Sequence, residues 1–319
     1  MSAESNVRLK AWQPNIDFMG KRRLAYALSG VLLVFAIIAI AMRGFNFGVD
    51  FTGGTLVEVS YPQPIELAGV RGALQQAGYP EAMAQYFGTP RDVLIRLAPS
   101  GDADASRLAE RVVEALRSSP GSEGIELRRV EFVGPQVGKE LAEHGSLAVL
   151  VSLLGILLYV SLRFEKRLAA GAVLGLVHDV IILLGVWAVF QLDFDLTVLA
   201  GLLATIGYSL NDTIVIYDRV RENFRKLRKG EVVEIVNLSV NQTLTRTLIT
   251  SGTTLLALIA LYVFGGEILR NFSLVLILGI IVGTYSSVFV CSALALLLGV
   301  SKKDLMPVVK EQPSSGAQL

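Results

Sequence analysis

Apolar positions in this chain fall mainly in long runs and only secondarily at strand or helix spacing. A run of 18 or more apolar residues wound as a helix crosses a hydrocarbon core about 30 Å thick. Six runs reach that length: Leu24 to Met42, Gly145 to Leu162, Leu168 to Phe190, Leu196 to Tyr217, Thr243 to Phe264 and Phe272 to Leu298. The first follows Lys21, Arg22 and Arg23 and has no small-residue cleavage site, so it reads as a retained span and not as a removed signal peptide. Five of the six lie after residue 144, and the only long polar insert, residues 43–140, separates the first span from the rest. The expected organisation is an N-terminal segment 1–23, a first span 24–42, an inserted domain 43–140, a five-span bundle 141–298 and a tail 299–319.

The insert carries the shorter periods. Leu56 to Tyr61 alternates Val57, Val59 and Tyr61 with Glu58 and Ser60, the two-residue period of a strand. Pro64 to Ala77 is a helix pattern with proline in its first turn and Gly78 at its end. Ala82 to Phe87 and Asp92 to Leu97 flank Gly88-Thr89-Pro90-Arg91 as a hairpin. Ala103 to Leu116 is amphipathic, and Ile125 to Phe132 reads as a closing strand. The order strand, helix, strand, strand, helix, strand fits a ferredoxin-like α+β sandwich.

Composition agrees with storage of apolar residues in a bilayer. The chain is 52% hydrophobic and 18% charged, with a mean hydropathy of +0.55, against about 25% charged in soluble domains. Lys plus Arg is 29 and Asp plus Glu is 28, so no large basic surface points to nucleic acid. A single cysteine, Cys291, excludes an internal disulfide and a multi-cysteine metal cage. No cofactor is expected: no Gly-rich phosphate loop ending in Lys-Ser or Lys-Thr occurs, and His144 and His178 are the only histidines.

Basic residues gather on one side of the spans. That side holds Arg8, Lys10, Lys21, Arg22 and Arg23, then Arg163, Lys166 and Arg167. It also holds Arg219, Arg221, Arg225, Lys226, Arg228 and Lys229, and finally Lys302, Lys303 and Lys310. By the positive-inside rule both termini are cytoplasmic and residues 43–140 lie outside. The basic loop from Arg219 to Lys229 serves topology first, and a lipid-surface or partner contact second.

A charged residue at membrane depth costs roughly 2.5 to 3.5 kcal/mol on the insertion scale, so each place where one falls is a functional candidate. His178 and Asp179 lie about 15 Å into the third span, near the midplane. Asn211 and Asp212 lie roughly 24 Å, and Arg246 roughly 27 Å, from the outer ends of the fourth and fifth spans. Asp212 and Arg246 are therefore expected in nearly one layer, as an ion pair. The alternative places both at the cytoplasmic edge, with Arg246 snorkelling. His178 and Asp179 are open between an ion relay and an interhelical packing bond. Gly171 with Gly175, and Gly279 with Gly283, match a close-packing pattern, and Thr243, Thr245, Thr247, Thr250, Ser251, Thr253 and Thr254 either line a hydrated path or satisfy backbone.

Several segments together resemble the SecF subunits of the bacterial protein-export accessory complex SecDF, within the resistance-nodulation-division superfamily. They are Ile16-Asp17-Phe18-Met19, Phe47-Gly48-Val49-Asp50-Phe51-Thr52-Gly53-Gly54, Val177-His178-Asp179, Ile206-Gly207-Tyr208-Ser209-Leu210-Asn211-Asp212-Thr213, Tyr217 to Asn223, and Thr245-Arg246-Thr247. The resemblance covers nearly the whole chain.

It implies a polytopic α-helical membrane protein of six transmembrane helices, half of a resistance-nodulation-division-type bundle. A small α+β ferredoxin-like periplasmic domain would sit between the first and second helices, in the bacterial cytoplasmic (inner) membrane. It implies SecD as partner, the SecYEG translocon with further accessory membrane subunits, a preprotein as substrate and lipid as surroundings, with the proton motive force drawing preproteins outward. Asp212 then resembles the family's transmembrane carboxylate and Arg246 its basic partner, a proton-coupling pair; His178, Asp179 and Asn211 stand beside them, by their depth in the spans alone, as candidate relay or packing groups. Asp50, Phe51, Thr52, Gly53 and Gly54 resemble a coupling motif, although a tight turn that needs glycine explains the same residues. The competing readings are one half of a proton-driven small-molecule or lipid exporter and a non-transporting assembly subunit. No nucleophile and base pair suggests an enzyme.

Overall fold

The computed structural model describes residues 15–99, 105–118, 124–227 and 230–301. The expectations placed on Arg8, Lys10, Arg228, Lys229, Lys302, Lys303 and Lys310, and on residues 103 and 104 of the amphipathic helix, lie outside the described residues.

In chain order, α1 (Arg22–Arg43) is followed by β1 (Asn46–Phe47), the one-turn α2 (Val49–Thr52), β2 (Gly54–Ser60), α3 (Leu67–Gln76), β3 (Met83–Phe87), β4 (Thr89–Leu97), α4 (Ala105–Arg117) and β5 (Glu126–Val133). The remaining elements are α5 (Pro135–Arg163), α6 (Lys166–Phe190), β6 (Asp193–Phe194), α7 (Leu196–Lys226), α8 (Val232–Phe264) and α9 (Gly266–Tyr285). The last helix passes through a π-helical turn, Ser286–Cys291, into α10 (Ser292–Leu297). The helices α1, α5, α6, α7, α8 and α9 with α10 are long and apolar enough to span a membrane, six spans among the described residues.

Several spans are longer than their apolar cores. Helix α5 starts ten residues before Gly145, with Pro135 in its first turn and the charged residues Lys139, Glu140 and Glu143 on its extension. Helix α7 runs on to Lys226, and α8 begins at Val232, well before Thr243, with Glu231 and Glu234 forming a reciprocal cap. An apolar count stops where water begins, whereas a helix continues as long as caps and packing support it.

Between α1 and α5, β2 to β5 form an antiparallel sheet in the order β3-β4-β2-β5. With α3 and α4 on one face this is the ferredoxin-like βαββαβ arrangement. Its core joins Val57, Val59, Val93 and Ile95 of the sheet to Leu74 of α3 and to Leu108, Val112 and Leu116 of α4. Each strand and helix lies within three residues of its sequence expectation, and Gly88, at φ +80°, makes the turn between β3 and β4.

The sheet domain meets the bundle through a short parallel ladder that pairs Asn46 with Asp193 and Phe47 with Phe194. Around it Phe45, Phe47, Phe51 and Phe194 pack ring against ring at 5.6 to 6.0 Å. The N-terminal strap is anchored in the same way at the other end of the bundle. Asn237 Oδ1 of α8 accepts from the backbone N–H of Phe18 at 2.9 Å, and Asn241 Oδ1 accepts from Ile16 at 2.8 Å. Phe18 and Met19 are buried against the bundle, with Phe18 edge-on to Phe289.

Candidate functional site

Among the described residues the bundle interior holds two buried carboxylates. Asp212, on α7, is 3% exposed, and Asp179, on α6, is 2% exposed. Glycines bring the helices close enough for these groups to share partners. A Cβ on Gly175 would run into Cys291 Sγ and one on Gly171 into the Tyr217 hydroxyl, so α6 receives the π-helical turn at these two positions. Likewise Gly279 and Gly283 of α9 face Thr205 and Ser209 of α7. This is the close packing expected of small residues four apart.

Asp179 is bonded from three sides. Ser209 Oγ of α7 donates to Asp179 Oδ2 at 2.6 Å, Ser286 Oγ of the π-helical turn donates to the same oxygen at 2.8 Å, and His178 Nδ1 lies 2.9 Å from Oδ1. Asp212 accepts from Ser251 Oγ of α8 at 3.5 Å, and Ser251 is joined to Thr284 Oγ1 at 2.9 Å. Thr284 sits two residues before Ser286, so the last span touches both carboxylate sites within one turn. Tyr217 donates to the carbonyl of Cys291 at 2.9 Å, and Ser292 Oγ donates to the carbonyl of Ser287 at 3.1 Å, bonds that support main-chain groups of the π-helical turn. π-Helical turns widen a helix by one residue and are frequent at functional sites.

Arg246 does not stand on Asp212. The bonds between α7 and α8 join Asn223 to Ser239, Asp212 to Ser251 and Tyr208 to Thr254. That register sets Arg246 opposite Ile216 and Tyr217, more than one turn and roughly 6 Å along the axis from Asp212. Arg246 and Asn211 are both exposed, and no ion pair joins Asp212 to Arg246 among the described residues. Distances from helix ends put Arg246 about 3 Å beyond Asp212 along the axis, where the register puts it roughly 6 Å beyond, and such distances carry no information on which way Arg246 faces.

Asp50 to Gly54 form a turn locked from several directions. Asp50 Oδ2 accepts from the backbone N–H of Leu196, the first residue of α7, at 3.0 Å. Asp195 caps the same helix end through Val198 N–H at 2.8 Å. Phe51 belongs to the aromatic cluster, and Thr52 Oγ1 donates to the carbonyl of Gly48. Gly53 at φ +71° and Gly54 at φ +129° adopt conformations that favour glycine, and a Cβ on Gly54 would strike the carbonyl oxygen of Leu97.

Beside this turn Arg96 of β4 crosses to the bundle. Its guanidinium lies 3.0 Å from Asp193 Oδ1 and donates to the Phe47 carbonyl at 2.9 Å. Asn46 and Gln85 also donate to Asp193, at 2.6 and 2.5 Å. A cleft of about 560 Å³ opens next to this contact, lined by residues that include Asp50, Arg96, Glu131, Asp195 and Arg270. Among the described residues no group of three or more His, Cys, Asp or Glu side chains could hold a metal ion.

Ser209, Ser286 and Thr284 were not singled out on chemical grounds in the sequence. The available signal was a cluster of hydroxyl residues, Thr284, Ser286, Ser287 and Ser292, inside an otherwise apolar span.

Six spans among the described residues, with a ferredoxin-like domain between the first two, define a polytopic membrane protein of the SecD/SecF architecture. Residues 112–301 match the family model for the C-terminal region of protein export membrane protein SecD/SecF, and residues 38–65 match the SecD/SecF GG motif. The protein translocase subunit SecF of Vibrio alginolyticus is 52% identical over 94% of this chain and 94% of its own. That of Pseudomonas aeruginosa is 52% identical over 92% and 94%, and that of Escherichia coli O157:H7 is 48% identical over 91% and 90%. The crystal structure of SecDF from Thermus thermophilus, a translocon-associated membrane protein, superposes with a TM-score of 0.79 at 39% identity. The match covers 89% of this chain and 38% of that one. The chain belongs to the SecF family of protein translocase subunits and is an inner-membrane protein.

Proposed function

We propose that this chain works with a SecD partner in using the proton motive force to promote preprotein export, with Asp212 as the protonated group. Both termini are cytoplasmic in this reading and residues 43–140 are periplasmic, as the basic loops require. The observation that carries it is the position of Asp212: a buried carboxylate in α7, the helix whose outer end is held by Asp50 of the sheet domain's entry turn.

A proton arriving on Asp212 neutralises it, and its release toward the cytoplasm restores a charge that Arg246 can approach. The arrangement in which no ion pair joins Arg246 to Asp212 corresponds in this reading to the unpaired state. Moving one charge across the field is worth about 2.3 kcal/mol per 100 mV, enough to bias a two-state movement more than tenfold. Such a movement of α7 reaches the sheet domain through Asp50. The exposed polar groups Asn211 and Arg246 support a partner as well, because a second bundle packed on that face keeps them out of lipid.

The test is export of a reporter preprotein in cells that carry this chain as their sole SecF. Asp212→Asn, inserted at normal levels, should reduce export to the level without SecF; export at the parent rate would overturn the proposal.

A further inference from the structure

The site around Asp179 has a feature that packing alone does not explain. His178 is 4% exposed, and its Nε2 has no hydrogen-bond partner among the described residues. With Asp179 as a carboxylate, which only accepts, the 2.9 Å contact puts the hydrogen on Nδ1 and leaves the Nε2 lone pair as an acceptor. A buried acceptor without a donor costs roughly 1 to 3 kcal/mol in a folded protein.

We propose that His178 and Asp179 form a second proton-binding site, in which His178 Nε2 takes the proton and Asp179 holds the imidazolium. The inference goes beyond the role of Asp212 and does not depend on it.

The geometry is that of an oriented base. Ser209 and Ser286 each donate to one oxygen of Asp179, which fixes the carboxylate, and the other oxygen fixes the ring through Nδ1. Before proton uptake the pair carries one negative charge in the bundle interior, and afterwards it is a neutral ion pair. In the step itself a hydronium ion gives up its proton: the Nε2 lone pair forms the N–H bond, an O–H bond of the hydronium breaks and water leaves.

Among the described residues, the groups named here as facing the pair carry no positive charge. The last span contributes Tyr285, whose ring centroid lies 6.4 Å from that of His178, and the buried Cys291. Helix α1 contributes Ser29, bonded to the Tyr285 hydroxyl at 3.1 Å, and Tyr26, which donates to the Ala293 carbonyl. Helix α7 contributes Ser209 and, one turn along, Asp212. The hydroxyl link from Ser251 through Thr284 to the span that carries Ser286 places the two carboxylates on one polar seam.

The chain suits a direct test, because it has two histidines and His144 is exposed on α5. His144→Gln leaves one imidazole, observable by nitrogen NMR in the full chain, 15N-histidine-labelled in lipid bilayers. Between pH 9 and pH 5 the signal should pass from the neutral tautomer with hydrogen on Nδ1 to the imidazolium. Asp179→Asn should leave it neutral over the same range. A ring that stays neutral in the parent, bonded to trapped water only, overturns the proposal, and that result needs no variant of Asp179. Protonation in Asp179→Asn at the parent pH overturns it as well. Asp212→Asn should leave the titration in place, so loss of export in that variant and failure of the present inference are separate results.

Discussion

The carboxylate of Asp50 accepts a hydrogen bond from the backbone N–H of Leu196 at 3.0 Å, joining the entry turn of the sheet domain to the first residue of the helix that carries Asp212. The first N–H groups of a helix have no partner within it, and an acidic acceptor there also meets the positive end of the helix dipole. Asp50→Ala removes that acceptor at a cost of about 0.5 to 2 kcal/mol, so amide exchange at residues 196–199 should quicken by about 2- to 30-fold in the full chain in lipid. Asp50→Asn keeps an oxygen acceptor and should show a smaller change. Exchange at the parent rate in Asp50→Ala would contradict the cap.

The adjoining Gly54 should tolerate no side chain. Its φ of +129° and the carbonyl oxygen of Leu97 in the path of a Cβ predict that Gly54→Ala destabilises the protein by ~1 to 3 kcal/mol, read from denaturant unfolding. Gly69→Ala is the control. It lies in α3 with open space around its Cβ position, and alanine there should be neutral or stabilising.

The ion pair between Arg96 and Asp193 fastens the sheet domain to the bundle. Hydrogen bonds to charged groups are worth about 1.5 to 3 kcal/mol, and Asp193 collects them from Arg96, Asn46 and Gln85. Asp193→Ala should therefore broaden the distance distribution between spin labels placed on α4 and α6, with the folded content unchanged. A distribution as narrow as the parent's would show that the aromatic cluster alone holds the joint.

Asp92, on β4, gives the sheet domain an acid limit. The hydroxyls of Ser60 at 2.6 Å and Thr89 at 2.5 Å donate to it, and these bonds hold its carboxyl below the usual carboxylate range. Because the folded value is the lower one, the stabilisation is complete above the unfolded value of about 3.9 and is lost as pH falls through the folded value. Protection of the β3–β4 turn amides should therefore fall on acidification below about pH 4. In Asp92→Asn it should be weaker at neutral pH and nearly flat with pH.

The spans and the sheet domain were legible because each rests on a local signal: apolar length for the spans, and two-residue alternation with turn residues for the strands. The burial of Asp212 was legible for the same reason, since Thr213 to Tyr217 continue an apolar helix beyond it. Which residue faces Asp212 was not legible, because register between two helices is set by side-chain packing along their whole length. Ser251, five residues from Arg246, occupies that place. The ladder of Asn46 and Phe47 with Asp193 and Phe194 escaped because it joins loops 147 residues apart and two residues make no period. The π-helical turn likewise depends on Gly171 and Gly175 of another helix making room for it.

The most direct test of the central claim is proton entry into vesicles that hold this chain with a SecD partner, followed by an internal pH dye after an outside-acid gradient is imposed. Parent vesicles should acidify faster than empty ones, and Asp212→Asn should return the rate to that of empty vesicles, with protein content and orientation equal. Acidification by Asp212→Asn at the parent rate would contradict the claim that protons pass through Asp212.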